Sequence, residues 1–394
     1  MDQQYSRSTG RGLVLFGSND PEELVNECVR QLGNPLSDPF KEEEFLVQSR
    51  GLGIWLQLKI AEKKGIFAHA RFRFQEEAIW MILRGFLGGG PERNPYTKEG
   101  LAWKIFGLLP GLMHQNSTSF QPLVEYLGSA SDWDGNRAFR LCRQIATLYD
   151  SYLTYRPEMI LDWNDKNFPD DRDRWQGILW HALRKSLDFE TLPEKVEQLK
   201  QLEAPKRADW LPERLSVFGV STMPPLFLDV LQAYGEFRSL KIFSLQPAPV
   251  FWGEVESEKW KLRALKRATL QAGHPVDENS LSDRAGNALI GSLGKTGREF
   301  FNMLVDRNAH DEPLAFQEAK GNRLLARLQR WIFDALSESQ ESRIHPSPDD
   351  LTLVINSCHG NMREVEVLRD YLLRRFEEDP SLKPRDVLVM MPTP

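Results

Sequence analysis

The chain has 394 residues, 41% apolar and 27% charged, with 50 Lys+Arg against 56 Asp+Glu for a formal charge of −6. That length divides into two or three domains, and 22 Phe, 11 Trp and 8 Tyr exclude a disordered chain. The three cysteines, Cys28, Cys142 and Cys358, lie far apart, which excludes a disulfide scaffold and gives no zinc spacing. The polar N-terminus lacks the apolar centre of a signal peptide, and no run approaches the roughly 18 apolar residues of a membrane span. The reading is a soluble cytoplasmic protein. Its mild acidity argues against nonspecific coating of nucleic acid and leaves a local basic channel open.

In chain order, Leu13 to Phe16 is a short apolar run that ends at Gly17-Ser18-Asn19-Asp20, and Leu24, Val25, Cys28, Val29 and Leu32 then repeat at helical spacing. Phe45-Leu46-Val47, a turn at Gln48 to Gly51, and Leu52 to Ile60 repeat the plan, which predicts a parallel α/β unit. After Gly88-Gly89-Gly90-Pro91 the β signal disappears, and Leu101 to Leu109, Ala138 to Leu153 and Trp175 to Leu187 carry helical periods. An all-helical insertion closes at Ala204-Pro205-Lys206. Strand, helix and strand resume over Leu215 to Gly219, Pro224 to Tyr234 and Leu240 to Leu245. Residues 253–290 read as irregular, Gly297 to Val305 and Ala315 to Leu336 as helices, and Ser337 to Asp350 as a linker. A strand at Leu351 to Ile355, a helix at Arg363 to Phe376 and a strand at Val387 to Met391 follow. Such a short β-α-β piece cannot close a sheet with its own core, so the chain reads as part of a longer one.

The first strand-turn-helix is where a nucleotide-binding α/β protein keeps its phosphate loop. That loop needs a Gly-rich turn, a Lys for the outer phosphates and a Ser/Thr for magnesium. Gly17-Ser18-Asn19-Asp20-Pro21 has no lysine, and Asp20 would repel phosphate. Gly294-Lys295-Thr296 imitates the end of that motif, but Leu289 stands where its first glycine belongs, so a plain helix start is predicted. The strand from Leu215 to Val220, where a magnesium carboxylate would be carried, contains no Asp or Glu, and Asp229 falls in the next helix as part of a solvated face. Cys358-His359 has no partner cluster, and the other histidines are scattered singly. Basic and aromatic residues interleave over Ala70 to Phe74, with Trp80 beyond. That mixture fits a base-stacking surface or an edge strand with its Phe residues inward and its Arg residues in water. Arg137, Arg140 and Arg143 recur at helical spacing, as a solvated face or a phosphate-tracking one.

Several segments together resemble one family. Phe45 to Ser49 with Gly51 and Trp55-Leu56-Gln57, Ala102-Trp103-Lys104 with Leu108-Leu109-Pro110, and Tyr149 to Leu153 with Tyr155-Arg156-Pro157 are similar to the N-terminal region of the RecC family. So are Phe218 to Ser221 with Pro224-Pro225, Gly294-Lys295 with Gly297-Arg298, and Arg363 to Leu368, in order from about Leu13 to Met391. RecC proteins are gamma subunits of bacterial exonuclease V, the RecBCD helicase-nuclease. The resemblance implies an α/β fold that is a degenerate superfamily-1 helicase core: a RecA-like parallel-sheet domain over 1–90 and 206–340, a large all-helical insertion over 91–205, and a linker with the start of a second RecA-like domain over 341–394. It implies no catalytic residue, metal or cofactor in this chain, with ATP and magnesium confined to partner subunits. The partners implied are RecB-like and RecD-like subunits, single-stranded DNA, and duplex DNA at the fork. The function implied is threading of the unwound 3′-ended strand, with screening for a Chi-type hotspot.

The strand-reading surface implied by the resemblance falls on Gln48, Arg50, Phe74, Trp80, Leu148, Asp150 and Arg156. Gln48 can read a base edge, Trp80 can stack or shape the channel, Arg156 can hold phosphate or a base, and Asp150 orients a neighbour. Arg50, Ile54, Phe74 and Thr147 depart from the family pattern. An Arg for a small hydroxyl residue and an Ile for an amide imply altered base readout. Two other function classes stay open: an active ATP-dependent subunit of the AddB type, which the missing loop lysine disfavours, and a pure protein-interaction scaffold, which would show no salt-sensitive affinity for single strands.

Overall fold

A computed structural model describes residues 12–92, 94, 96–128, 134–168, 173–187, 189–255, 287–335 and 345–391. Strands β1 (Gly12–Ser18), β2 (Glu43–Val47) and β3 (Ala70–Arg73) alternate with α1 (Pro21–Gln31), α2 (Arg50–Lys64) and α3 (Gln75–Leu87). Six helices follow: α4 (Lys98–Gln115), α5 (Gln121–Leu127), α6 (Gly135–Tyr155), α7 (Pro157–Asn164), α8 (Arg174–Lys185) and α9 (Leu192–Lys200). Then come β4 (Arg214–Phe218), α10 (Pro225–Phe237), β5 (Ser239–Leu245), α11 (Ala288–Leu293), α12 (Lys295–Asp306), β6 (His310–Pro313), α13 (Leu324–Phe333) and α14 (Asn361–Glu378).

The strands form one six-stranded parallel sheet in the order β3-β2-β4-β5-β1-β6. From β1 the chain steps one way across the sheet through β2 to β3, then returns the other way through β4 and β5 to β6. Because parallel crossovers are right-handed, the reversal sends α1 and α2 to one face and α3, α10 and α12 to the other. The strand pattern agrees, since side chains alternate between faces. Leu13, Leu15, Leu46, Leu215, Val217, Leu240 and Ile242 join the α3, α10 and α12 core. Phe16, Phe45, Phe218 and Phe243 join the α1 and α2 core, with Phe72 packed against it. On that second face, stacked rings cross the sheet: Phe72 on Phe45 at 5.0 Å, Phe218 on Phe243 at 5.7 Å and Phe243 on Phe16 at 5.1 Å. Offset pairs of this kind add about 0.5–1.5 kcal/mol each beyond their buried area.

The helical layer has its own core, built on Leu101, Ile105, Leu109, Cys142, Tyr149, Trp180 and Leu183. Tyr149 is fully buried there, its hydroxyl donates to the Gln176 carbonyl at 2.8 Å, and burial holds its pKa well above the ordinary range. Helix α9 instead sends Leu192, Val196 and Leu199 into the sheet-side core, which ties the two layers together. The joint is capped by Thr191 and Glu194, and Glu194 also holds Arg184 at 3.0 Å. Sheet and helical layer lie in one compact unit, which runs to Glu318 and includes Trp331–Glu338; a second unit comprises Ala319–Arg330 and Ser339–Pro394.

Four sequence expectations need correction or placement. Nothing in the sequence marks strand β6, because His310-Asp311-Glu312-Pro313 has no apolar run and takes its strand form by pairing along the outer side of β1. The helix read from Ala315 begins only at Leu324, since Ser18 and Asn19 hold the carbonyls of Ala315 and Gln317, and Gly321 takes φ +100. Leu351–Ile355 and Val387–Met391 form no strand among the described residues. Apolar runs of this kind need a paired neighbour to become strands, and Leu351, Ile355, Leu388 and Met390 are exposed. Of the stretch read as irregular, 256–286 lies outside the described residues, as does 337–344 of the linker.

Candidate functional site

In open parallel sheets, ligands bind outside the carboxyl ends of the strands. At the end of β1 that space is filled. The Ser18 hydroxyl donates to the Ala315 carbonyl at 2.7 Å and accepts from the Asp20 amide at 3.0 Å. Asn19 exchanges two hydrogen bonds with Gln317, both 2.8 Å. The first turn of α1 is capped from inside the chain: the Asp20 carboxylate accepts from the Glu22 amide at 2.8 Å. The side chain of Gln246 covers Gly17 so closely that a β-carbon there would lie 2.4 Å from its amide nitrogen. Glu22 is held by Lys59 at 2.9 Å and Lys63 at 3.3 Å, and the Lys59 hydrogen bond is the larger reason its carboxyl titrates below its ordinary value. These residues do not fit a triphosphate with magnesium. A carboxylate already occupies the positive end of the helix, and no lysine faces the turn from within it.

The other phosphate-handling positions are equally plain. Lys295 opens α12 directly after α11, not after a strand, and its exposed ammonium lies 3.7 Å from Glu299. Asp229 pairs with Arg307 at 2.6 Å and lies 3.9 Å from Lys200, so it stands in an ion-pair cluster, not on an open solvated face. No metal-binding group of His, Cys, Asp or Glu occurs among the described residues, Cys358-His359 included.

The carboxyl ends of β2, β3 and β4 are open. There the end of α6 and the start of α9 roof a groove of about 500 Å³. Its sheet side is Val47, Gln48, Phe74, Gln75, Thr222 and Pro224, and its helical side is Asp150, Ser151, Thr154, Tyr155 and Leu192, with Asn94 and Tyr96 between. Phe74 occupies the cap position of α3, where Ser, Thr, Asp or Asn would give the helix a side-chain bond, and it makes none and is 52% exposed. Gln75 donates to the Thr222 carbonyl at 3.1 Å, and Asn94 donates to Glu76 at 2.8 Å. The Ser221 hydroxyl donates to the Gln48 carbonyl oxygen at 3.4 Å, which orients the Gln48 NH₂ group and leaves it available. Glu76 and Asp150 are the only charged lining residues among those described. Amides, hydroxyls and two exposed rings, with no cation among them, suit base edges and base faces and not phosphate.

Of the predicted strand-reading residues, Gln48, Phe74 and Asp150 meet in this groove. Asp150 lies 3.3 Å from the Lys98 ammonium, so it does engage a neighbour. Arg50 stands exposed at the start of α2, just beyond the groove, and Ile54 is half exposed one turn later. Leu148 and Thr147 sit on the exposed side of α6, outside the lining, and the Thr147 hydroxyl donates to the Arg143 carbonyl at 2.9 Å. Arg156 lies in a neighbouring pocket with Asp162, Asp173 and Gln176, its guanidinium 5.8 Å from the Tyr152 ring. Trp80 is 1% exposed in the sheet-side core, and its indole N–H has no partner among the described residues. No base can stack on it while the core is closed. In the Ala70–Phe74 run the edge-strand reading holds for Phe72, but the arginines are paired: Arg71 with Glu42 at 2.7 Å and Arg73 with Glu44 at 2.7 Å. Sequence reading missed Gln75, Asn94, Thr154, Tyr155 and Thr222. Of these, Thr154 stands at i+4 from Asp150, a spacing that marks it as a neighbour on one helix face.

The model of the RecC N-terminal domain family matches residues 13–335. The RecBCD enzyme subunit RecC of Haemophilus influenzae is 30% identical, covering 96% of this chain and 38% of that protein. Its Escherichia coli counterpart is 30% identical over 90% of this chain and 34% of its own length. The Mycolicibacterium smegmatis counterpart is 28% identical over 96% of this chain and 33% of its own. The chain thus spans about a third of the length of the relatives it matches. With a family match that spans most of the sheet unit and its helical insertion, the chain belongs to the RecC family.

Proposed function

We propose that this chain is a strand-guiding element with the layout of a degenerate superfamily-1 helicase: a RecA-like domain over 1–90 and 206–340, its helical insertion over 91–205, and the start of a second RecA-like domain over 341–394. It does no ATP chemistry itself and works in a RecBCD-type DNA repair and recombination complex, where RecB-like and RecD-like subunits supply the ATP and magnesium chemistry. The unwound 3′-ended single strand passes along the groove at the ends of β2, β3 and β4, and the groove's amides screen its bases for a Chi-type sequence. The relatives' name, RecBCD enzyme subunit RecC, supports the setting. The chemistry of two places on the sheet's carboxyl edge carries the reading: the β1 end is closed by Ser18, Asn19, Asp20 and Gln246, while the groove at β2, β3 and β4 presents Gln48, Phe74 and Tyr155.

The test is fluorescence anisotropy of a labelled single strand with the full chain. Phe74→Ala and Gln48→Ala each weaken binding without lowering the melting temperature, because both residues are exposed. Unchanged binding by both variants, or ATP hydrolysis by the chain that Lys295→Ala abolishes, would overturn the reading.

A further inference from the structure

We propose that α4 and α6 carry a second station for a single strand, with Trp103 as a base-stacking platform and Arg140 and Arg143 on the phosphates. The inference rests on the groove reading and extends it outward along α6. Trp103 is 62% exposed on α4, an unusual position for so large an apolar ring, and its orientation is fixed from below. Its centroid is 4.3 Å from the Phe139 ring of α6 and 6.1 Å from Phe106. One side of the indole is thus packed on an aromatic base and the rest stays open, as a stacking platform requires.

The charge around it is of the complementary sign. Helices α4 and α6 bring Lys98, Lys104, Arg137, Arg140 and Arg143 against only Glu99 and Asp150, in a chain whose total is −6. Asp150 is already taken by Lys98. Arg140 and Arg143 are exposed and have no carboxylate within ion-pair distance among the described residues. Some exposed arginines elsewhere do find one, as Arg71 meets Glu42, Arg207 meets Asp209 and Arg374 meets Glu378. Two guanidinium groups without a carboxylate, on the helix whose Phe139 supports the open indole, match a polyanion that carries flat aromatic groups.

The station is continuous with the groove. Phe139, Arg143, Thr147, Asp150 and Thr154 follow one another at i+3 and i+4 on one flank of α6, and Asp150 and Thr154 line the groove. From Arg143 to Thr154 the helix rises about 16 Å, a length of about five stacked nucleotides. The groove lining contains no described cation, so the phosphates of a bound strand find theirs on this flank.

The experiment compares two single strands against the full chain by anisotropy: a tetranucleotide that fills the groove alone, and a strand of about a dozen nucleotides that reaches both stations. Trp103→Ala weakens the long strand about five-fold or more, the loss of one base stack, and leaves the tetranucleotide unchanged. Trp103→Phe restores most of the affinity, which separates stacking from any effect on folding. Arg140→Gln with Arg143→Gln lowers the slope of log K against log salt by about 1.4 for the long strand, from two phosphates released. Equal losses on both strands, or no loss on either, overturn the second station. So does unchanged strand binding with lost association to a partner subunit, which would make this a protein-docking face. Failure of the groove reading looks different: the tetranucleotide does not bind, and Phe74→Ala has no effect on either strand.

Discussion

The carboxyl end of β1 and the carboxyl ends of β2, β3 and β4 belong to one sheet, yet they differ in what their side chains have left to offer. At β1 the polar side chains of the turn are engaged within the chain: Ser18 and Asn19 bind it at Ala315 and Gln317, and Asp20 caps its own helix. At the groove, Phe74 leaves a helix uncapped, the Gln48 amide donors stay available, and Tyr155 is 67% exposed. The lesson is that a parallel-sheet layout offers several ligand positions and that local hydrogen bonding decides which one stays open.

The largest effect that probes this contrast comes from Trp80, which lies in the helix that begins at the groove but faces the core. Trp80→Ala costs about 3–5 kcal/mol of stability through the cavity it leaves, read by chemical denaturation. A melting point unchanged by that substitution, with strand binding lost, would move Trp80 out of the core and into the groove. Next comes Gln48→Ala, which removes a base-edge donor. It lowers discrimination between the preferred base and others by about 1–3 kcal/mol, read by competition among single strands of different sequence. Equal loss on all sequences would mean that Gln48 only positions the strand.

Closing the β1 end is a smaller term. Asp20→Ala removes a helix cap worth about 1 kcal/mol and leaves strand affinity unchanged; a gain of nucleotide binding would show that the cap alone had been blocking the turn. The smallest effect lies at the opposite, amino end of β4. Glu213 is held by Lys41 at 2.9 Å and by the Ser37 hydroxyl and amide, which bring its carboxyl down to about 2. A carboxyl lowered on folding stabilises the protein above its ordinary value near 4.5 and loses that contribution as pH falls toward about 2. Glu213→Gln therefore lowers stability by about 1 kcal/mol or less at neutral pH, and its difference from the wild-type chain shrinks as pH drops below about 5. A difference independent of pH would exclude the ion pair as its cause.

The sheet was legible wherever apolar runs marked it, as at Leu13–Phe16, Phe45–Val47 and Leu240–Leu245. β6 was invisible because its four residues are polar or proline and their strand character comes only from pairing with β1. The reverse error occurred at Leu351–Ile355, where strand-like residues have no strand beside them. Burial of Trp80 was readable in principle: Ala78 to Leu83 is an unbroken apolar run in a helix, and such a helix is buried all round. The groove was legible only in part. Gln48 and Asp150 entered through family resemblance, while Asn94, Thr222 and Tyr155 come from three segments distant in sequence, and only the folded sheet brings them to one place.

The central claim is that the groove takes the bases of an unpaired strand while the β1 end takes no nucleotide. The most direct measurement compares two strands of equal length and charge, one normal and one abasic over its central residues, binding to the full chain and to Phe74→Ala with Tyr155→Ala. The wild-type chain should prefer the normal strand by about five-fold or more, the value of a single base stack, and the double variant should bind both alike. Equal affinity of the wild-type chain for the two strands would contradict the account.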